Sequence, residues 1–160
     1  MKAAIKIMDS RLTGRMLPTY ETENAAAMDL RACIHCPVIV DPGDTVLISA
    51  GFSMSVPEGF VAILAPRSGL GHKHGIILGN TVGVIDGDYR GQVMVSVWNR
   101  RYQSGIHDAF GIDTNAYRIN PMDRIAQMLI APVARMEWEI VDELPPTARG
   151  AGGFGSTGGR

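Results

Sequence analysis

Turn signals break this chain at short intervals, and that punctuation constrains its fold more than any other feature. Asp41-Pro42-Gly43-Asp44 precedes Thr45 to Ile48, Val56-Pro57-Glu58-Gly59 precedes Phe60 to Leu64, and Asn120-Pro121-Met122-Asp123 precedes Arg124 to Val133. Proline fixes φ and glycine frees it, so such clusters end helix and strand alike. The apolar runs between them have strand length and no sustained 3.6-residue period. Gln92 to Trp98 alternates cleanly, with Val93, Val95 and Val97 on one face and Met94, Ser96 and Trp98 on the other. Met136 to Val141 is a further candidate strand. With 19 Gly and 9 Pro in 160 residues, the chain reads as an all-β sandwich or barrel. At most one short helix is expected, a turn around Ser68 to Lys73.

Two stretches depart from this rhythm. Tyr102 to Tyr117 is rich in polar and turn residues and reads as an extended surface loop or hairpin. Residues 149–160 are dominated by glycine and carry no apolar pattern, so they read as a flexible arm appended to a single β domain over residues 1–148.

The charge balance narrows the partners. Fifteen Lys and Arg stand against sixteen Asp and Glu, a net charge of -1. That argues against a nucleic-acid groove or an anionic membrane as the main partner, while leaving room for a local basic site. No apolar run reaches membrane-spanning length, and Met1 to Leu12 lacks a signal-peptide core, so a cytoplasmic protein is expected. Cys33 and Cys36 have C-x-x-C spacing but no second pair for zinc. Pro37-Val38-Ile39-Val40 follows instead of the helix a redox motif needs. They read as two reduced thiols near a strand end. His35, His72, His74 and His107 have no convincing metal spacing.

Three segments carry possible chemistry. Gly150-x-Gly152-x-x-Gly155 matches the dinucleotide fingerprint formally, but only five residues follow Gly155, too few for the helix that motif requires. Bare backbone amides with Arg149, Ser156 and Thr157 could still wrap a phosphate chain. Pro66-Arg67-Ser68-Gly69-Leu70-Gly71 pairs a guanidinium, a hydroxyl and free backbone, which also suits phosphate, although it is not a P-loop. Gly83-Val84-Ile85-Asp86-Gly87-Asp88-Tyr89-Arg90-Gly91 could set a carboxylate as a base for water and a flat ring for a sugar or base. Taken alone, that last stretch is equally an ordinary Asp-Gly hairpin.

Together these segments resemble the five ordered motifs of the trimeric dUTPase family, bacterial type. Ala27 to Ala32 is similar to the first motif, Pro66 to Ile76 to the second, and Gly79 to Gly91 to the third. Arg124 to Met128 is similar to the fourth and Arg149 to Gly158 to the fifth. Ala27 stands where the family has glycine and Met28 where it has an aliphatic residue, both leaving Asp29 in place. The stretch between Asn99 and Arg124 is longer than the family pattern.

The resemblance implies a distorted jelly-roll (β-clip) barrel and a homotrimer with sites shared between chains. It implies hydrolysis of dUTP to dUMP and pyrophosphate with Mg2+, an activity that keeps uracil out of DNA and supplies dUMP. Asp86 would be the general base, with Ser68 and Gln127 assisting catalysis. Arg67, Ser68, Gly69 and Gln127 would bind phosphate oxygens, and Asp29 would support the metal through water. Asn80 and the backbone at Gly83 would read uracil, and Tyr89 would pack on the deoxyribose. From the arm, Phe154 would stack on the base, while Arg149, Gly155, Ser156 and Thr157 would close over the phosphates. Two alternatives remain open at this point: a dCTP deaminase of the same fold, and a nucleotide-sensing regulatory protein whose long loop engages a partner.

Overall fold

The computed structural model describes residues 1–153. Its elements are β1 (Ile5–Ile7), β2 (Met28–Arg31), β3 (Val38–Val40), β4 (Thr45–Met54), β5 (Phe60–Ala65), α1 (Ser68–His74), β6 (Ile76–Leu78), β7 (Gly83–Ile85), β8 (Gln92–Asn99), β9 (Tyr117–Ile119) and β10 (Arg124–Pro132), with one 3-10 turn at Gly14–Met16. One sheet runs β1-β4-β8-β6, a second β2-β10-β5-β7, and β3 pairs with β9 in a third. Every strand pair is antiparallel. This is the all-β, jelly-roll-like arrangement expected from the sequence, with its single short helix where the Ser68 segment placed it.

The core is filled by the alternation. Val93, Val95 and Val97 of β8 are buried, and so are Ile48, Ala50, Phe52 and Met54 of β4. From the facing sheet come Leu30, Ala62, Leu64, Ile85, Ala126 and Met128, all in the same cluster. Removing one such side chain from water contributes about 1.5–3 kcal/mol.

β4 extends well beyond Ile48 because it serves two partners. Thr45 to Ser49 pair with β8, Phe52 to Met54 pair with β1, and the β8 register shifts between Ser49 and Ser53. Gly51 sits in that break at φ 79°. A Cβ there would overlap the Cys33 thiol and stand 2.9 Å from Leu12. Glycine therefore permits both the left-handed turn and the close approach.

Met136 to Val141 is not a strand. Met136, Trp138 and Ile140 are 74%, 86% and 98% exposed. The alternation is present, but no sheet edge of the same chain lies beside it, and a strand without a partner leaves its backbone groups unpaired. By contrast, the polar stretch after Tyr102 is tightly built. The Asp113 carboxylate accepts bonds from the Ser104 amide (2.9 Å), the Ser104 hydroxyl (2.8 Å) and the Asn115 amide (2.7 Å). Asp108 Oδ1 accepts from the amides of Phe110 and Ile112 at 2.8 and 3.0 Å. Among the described residues no helix is long and apolar enough to cross a membrane.

Candidate active site

β10 lies between β2 and β5, and its register aligns Asp29, Gln127 and Ala65 in one row. Their neighbours Met28, Met128 and Leu64 face the core, so Asp29 and Gln127 project from the opposite face. There Asp29 holds two guanidiniums. Arg67 Nε is 2.8 Å from Oδ1, and Arg124 Nη1 is 3.0 Å from Oδ2. Gln127 Nε2 donates to the Pro66 carbonyl at 3.0 Å, fixing the turn that delivers Arg67, Ser68 and Gly69. These groups, with Ala27 and Glu21, line a cleft of about 330 Å³. The first amides of a helix have no acceptor inside it, so Ser68 and Gly69 add backbone donors to this wall.

A cation would find two carboxylates here, the shielded Asp29, already paired on both oxygens, and the exposed Glu21. No group of three or more His, Cys, Asp and Glu side chains is placed to hold a metal among the described residues. That donor set fits a hydrated Mg2+ ligated mainly by phosphate and water, since such ions keep much of their water and each carboxylate oxygen retains a free lone pair.

A second cleft, about 220 Å³, lies beside the β6–β7 connection, which crosses from one sheet to the other and is not a hairpin. Asn80, Gly83, Asp86, Tyr89 and Gln92 line it, over a floor that includes Leu64, Leu78 and Val95. Gly83 packs so closely on β5 that a Cβ would stand 2.8 Å from Leu64 Cβ. Thr81 holds φ 60° in the β6–β7 connection, a strained choice for a β-branched residue. After β7 the chain turns sharply, with the Tyr89 amide donating to the Asp86 carbonyl at 3.2 Å. The Tyr89 hydroxyl donates to the Gln92 carbonyl at 2.9 Å, which folds its ring back along the turn. Asp86 is exposed at the mouth, immediately after buried Ile85.

The structure thus collects Asp29, Arg67, Ser68, Gly69 and Gln127 in one cleft and Asn80, Gly83, Asp86 and Tyr89 in another. No residue lines both clefts. β7 lies two strands from β10 and three from β2, roughly 10 and 14 Å at ordinary strand spacing. Arg149 lines neither cleft and donates to the Gly152 and Gly153 carbonyls of its own arm at 2.8 and 3.2 Å. The expectations for Phe154, Gly155, Ser156 and Thr157 lie outside the described residues. Sequence reasoning missed Arg124 and Glu21 as site residues. Arg124 opens the fourth motif and could have been found as a counter-charge for Asp29. Glu21 gave no signal.

A family model for dUTPase matches residues 14–158. The chain is 48% identical over 159 residues to the deoxyuridine 5'-triphosphate nucleotidohydrolase of Ralstonia pickettii (strain 12J), covering 99% of each. Among solved structures, a Staphylococcus bacteriophage 80alpha dUTPase with dUpNHpp superposes with TM-score 0.84 at 24% identity, covering 98% of each chain. A dUTPase from phage phi11 of S. aureus, described for its coordination of a structural Mg(II) ion, gives TM-score 0.77 at 22% identity over 91% of this chain and 100% of that one.

Proposed function

The chain belongs to the dUTPase family and is an enzyme that hydrolyses dUTP; from that premise we propose how its two clefts divide the work. The cleft at β2, β10 and α1 takes the triphosphate, and the cleft at the β6–β7 connection takes the nucleoside and holds the base catalyst. The separation of the two clefts on one chain carries this proposal, because each supplies what the other lacks.

In the reaction, the Asp86 carboxylate accepts a proton from a water whose oxygen bonds to the α-phosphorus in line. The bond to the α,β-bridging oxygen breaks and pyrophosphate leaves with the electron pair, giving dUMP. Arg67, Ser68, Gly69 and Gln127 hold phosphate oxygens and offset the charge moving onto the leaving group. Ser68 stands nearest the bridging oxygen in this scheme. Mg2+, supported by Asp29 through water, supplies charge neutralisation and a fixed phosphate geometry when bound. Asn80 and the Gly83 backbone hydrogen-bond the uracil edge, and the close packing of β7 on β5 leaves no space for a thymine methyl. Tyr89 covers the deoxyribose and excludes a ribose hydroxyl.

A site split in this way works as a whole only if copies of the chain bring opposite clefts together. We assign it to a homotrimer with shared sites, in which residues 149–160 form an arm on the domain over 1–148 and close a neighbour's cleft. Phe154 would stack on uracil, and Arg149, Gly155, Ser156 and Thr157 would bind phosphate. Exposed Met136, Trp138 and Ile140, together with outward Val84 at 64% exposure, support burial between copies. The two free thiols suit a reducing compartment, and we place the enzyme in the cytoplasm. Nearly balanced charge disfavours nucleic acid as a partner. The identity to a nucleotidohydrolase favours this reaction over deamination of dCTP.

The direct test is pyrophosphate release from dUTP, dCTP, dTTP and UTP, each with Mg2+ and with chelator. Magnesium-dependent release from dUTP alone is expected; ammonia release from dCTP would favour the deaminase, and binding of dUTP without turnover would favour a sensor.

A further inference from the structure

Little inside α1 holds it in place. Two of its seven residues are glycine, none is buried, and no side chain caps its start. Helices of this length are unstable alone in water, and each glycine costs about 1 kcal/mol against alanine. Leu70 packs against the core and the His74 ring centroid lies 5.1 Å from that of Tyr117, but the two ends of the helix are set from outside. At the entering turn the Asp29–Arg67 pair and the Gln127–Pro66 bond do so.

At the far end two arginines take over. Arg101 Nη2 donates to the Lys73 carbonyl at 2.6 Å, and Arg100 Nη2 donates to the Gly71 carbonyl at 3.4 Å. The Arg100 amide donates to the Gly75 carbonyl at 3.0 Å. Gly75 closes the helix at φ 70°, and a Cβ there would stand 2.8 Å from Arg101 Cγ, so the chain turns directly over the Arg101 stem. Arg101 is itself anchored, its amide donating to Asn99 Oδ1 at 3.2 Å. Asn99 is fully buried, and its amide donates to the carbonyls of Val40 (3.0 Å) and Asn115 (2.9 Å).

We propose that Arg101 is a positioning residue for the triphosphate cleft, transmitting the rigidity of the Asn99 anchor through α1 to Ser68 and Gly69. It touches no substrate. The proposal rests on reading Arg67, Ser68 and Gly69 as phosphate contacts. It also gives the long loop a mechanical place, because the loop leaves through Arg101 and returns through Asn115, both tied to Asn99.

The test uses the full-length enzyme and the variants Arg101→Ala, Arg101→Lys, Arg101→Gln and Ser68→Ala. The readouts are kcat and KM for dUTP, Kd for dUMP and for α,β-imido-dUTP, and Tm. Misplacing catalytic groups by about 1 Å costs about 100-fold, so a partial slip of α1 in Arg101→Ala should lower kcat by about tenfold. Affinity for α,β-imido-dUTP should fall with it, dUMP affinity should hold, and Arg101→Lys should recover most of kcat. Wild-type kcat and imido-dUTP affinity in Arg101→Ala, alongside a crippled Ser68→Ala, would overturn the proposal. Silence in Ser68→Ala as well would instead show that the phosphate assignment had failed, taking this inference with it. Should Arg101→Ala not fold, Arg101→Gln carries the comparison, and equal loss of dUMP and imido-dUTP binding there would mark a general structural role and refute positioning.

Discussion

The two clefts are built from opposite materials. The β2–β10–α1 cleft is made of charge, with four ionic side chains, of which those at positions 29, 67 and 124 are locked by two ion pairs. The β6–β7 cleft is made of backbone and shape, with its key residues drawn from one run between Asn80 and Tyr89 and set by glycines and a strained Thr81. The charged cluster is rigid because its partners come from separate elements, Asp29 from β2, Arg124 from β10 and Arg67 from the turn before α1. A tight turn is precise because each of its residues has few permitted conformations. A polyanion calls for the first construction, and discrimination between similar bases and sugars calls for the second.

The largest effect should come from the base. Asp86→Asn removes the proton acceptor and should cut kcat by about 1,000-fold, within the range for general base catalysis. Affinity for α,β-imido-dUTP should change little. A wild-type kcat would remove Asp86 from the chemistry and leave the β6–β7 cleft with recognition alone. Deleting residues 149–160 should be nearly as damaging to turnover while a folded assembly remains; full activity without the arm would refute its closing role.

Next comes the charged cleft. Asp29→Asn leaves two guanidiniums without their carboxylate. By analogy with outer-sphere residues at metal sites, the Mg2+ concentration for half-maximal rate should rise about 10- to 100-fold. A magnesium titration of initial rates checks this, and an unshifted midpoint would mean that Asp29 only orders the arginines.

Smaller still is the effect on shape. A Cβ at Gly91 would overlap the Tyr89 hydroxyl and stand 2.9 Å from Cε2, so Gly91→Ala must push the ring off its seat. The ratio of kcat/KM for dUTP over UTP should fall by about tenfold, the scale at which one misplaced apolar contact alters discrimination. An unchanged ratio would show that the ring position does not set sugar choice.

The smallest effect lies outside both clefts. Burial pushes the Cys33 thiol up to about 11, while Cys36 is exposed. Its folded value is raised, so the reactive thiolate appears only as pH climbs toward that value and is about one part in a thousand at pH 8. One thiol per folded chain should react quickly with a disulfide reagent, and activity should persist. Two fast thiols would mean that the Gly51 bulge does not seal Cys33.

The same contrast explains what was legible in the sequence. β8 could be read because Val93, Val95 and Val97 alternate over eight residues. β1, β3, β6, β7 and β9 are three residues each, too short to show a period. Met136 to Val141 alternates as well as β8 does, yet the pattern reports a face and not the neighbour that must cover it. The residues from Asn80 to Tyr89 could be gathered because they are contiguous, although β6, β7 and β8 form no hairpin through them: β7 belongs to the other sheet. The Asp29–Arg67–Arg124 cluster exists only once β10 is placed between β2 and β5, so Arg124 was seen as part of a motif and not as a partner for Asp29. Glu21 stands outside every motif and entered only through the cleft geometry.

The division into two clefts has a consequence for inheritance. In the shared site proposed above, a chain spoiled at Asp86 would still lend an intact phosphate wall, and a chain spoiled at Ser68 would still lend an intact nucleoside cleft. Two separately dead alleles, expressed together, would then restore some activity through mixed assemblies. A single dead allele, in turn, would spread its defect into sites it shares with sound neighbours.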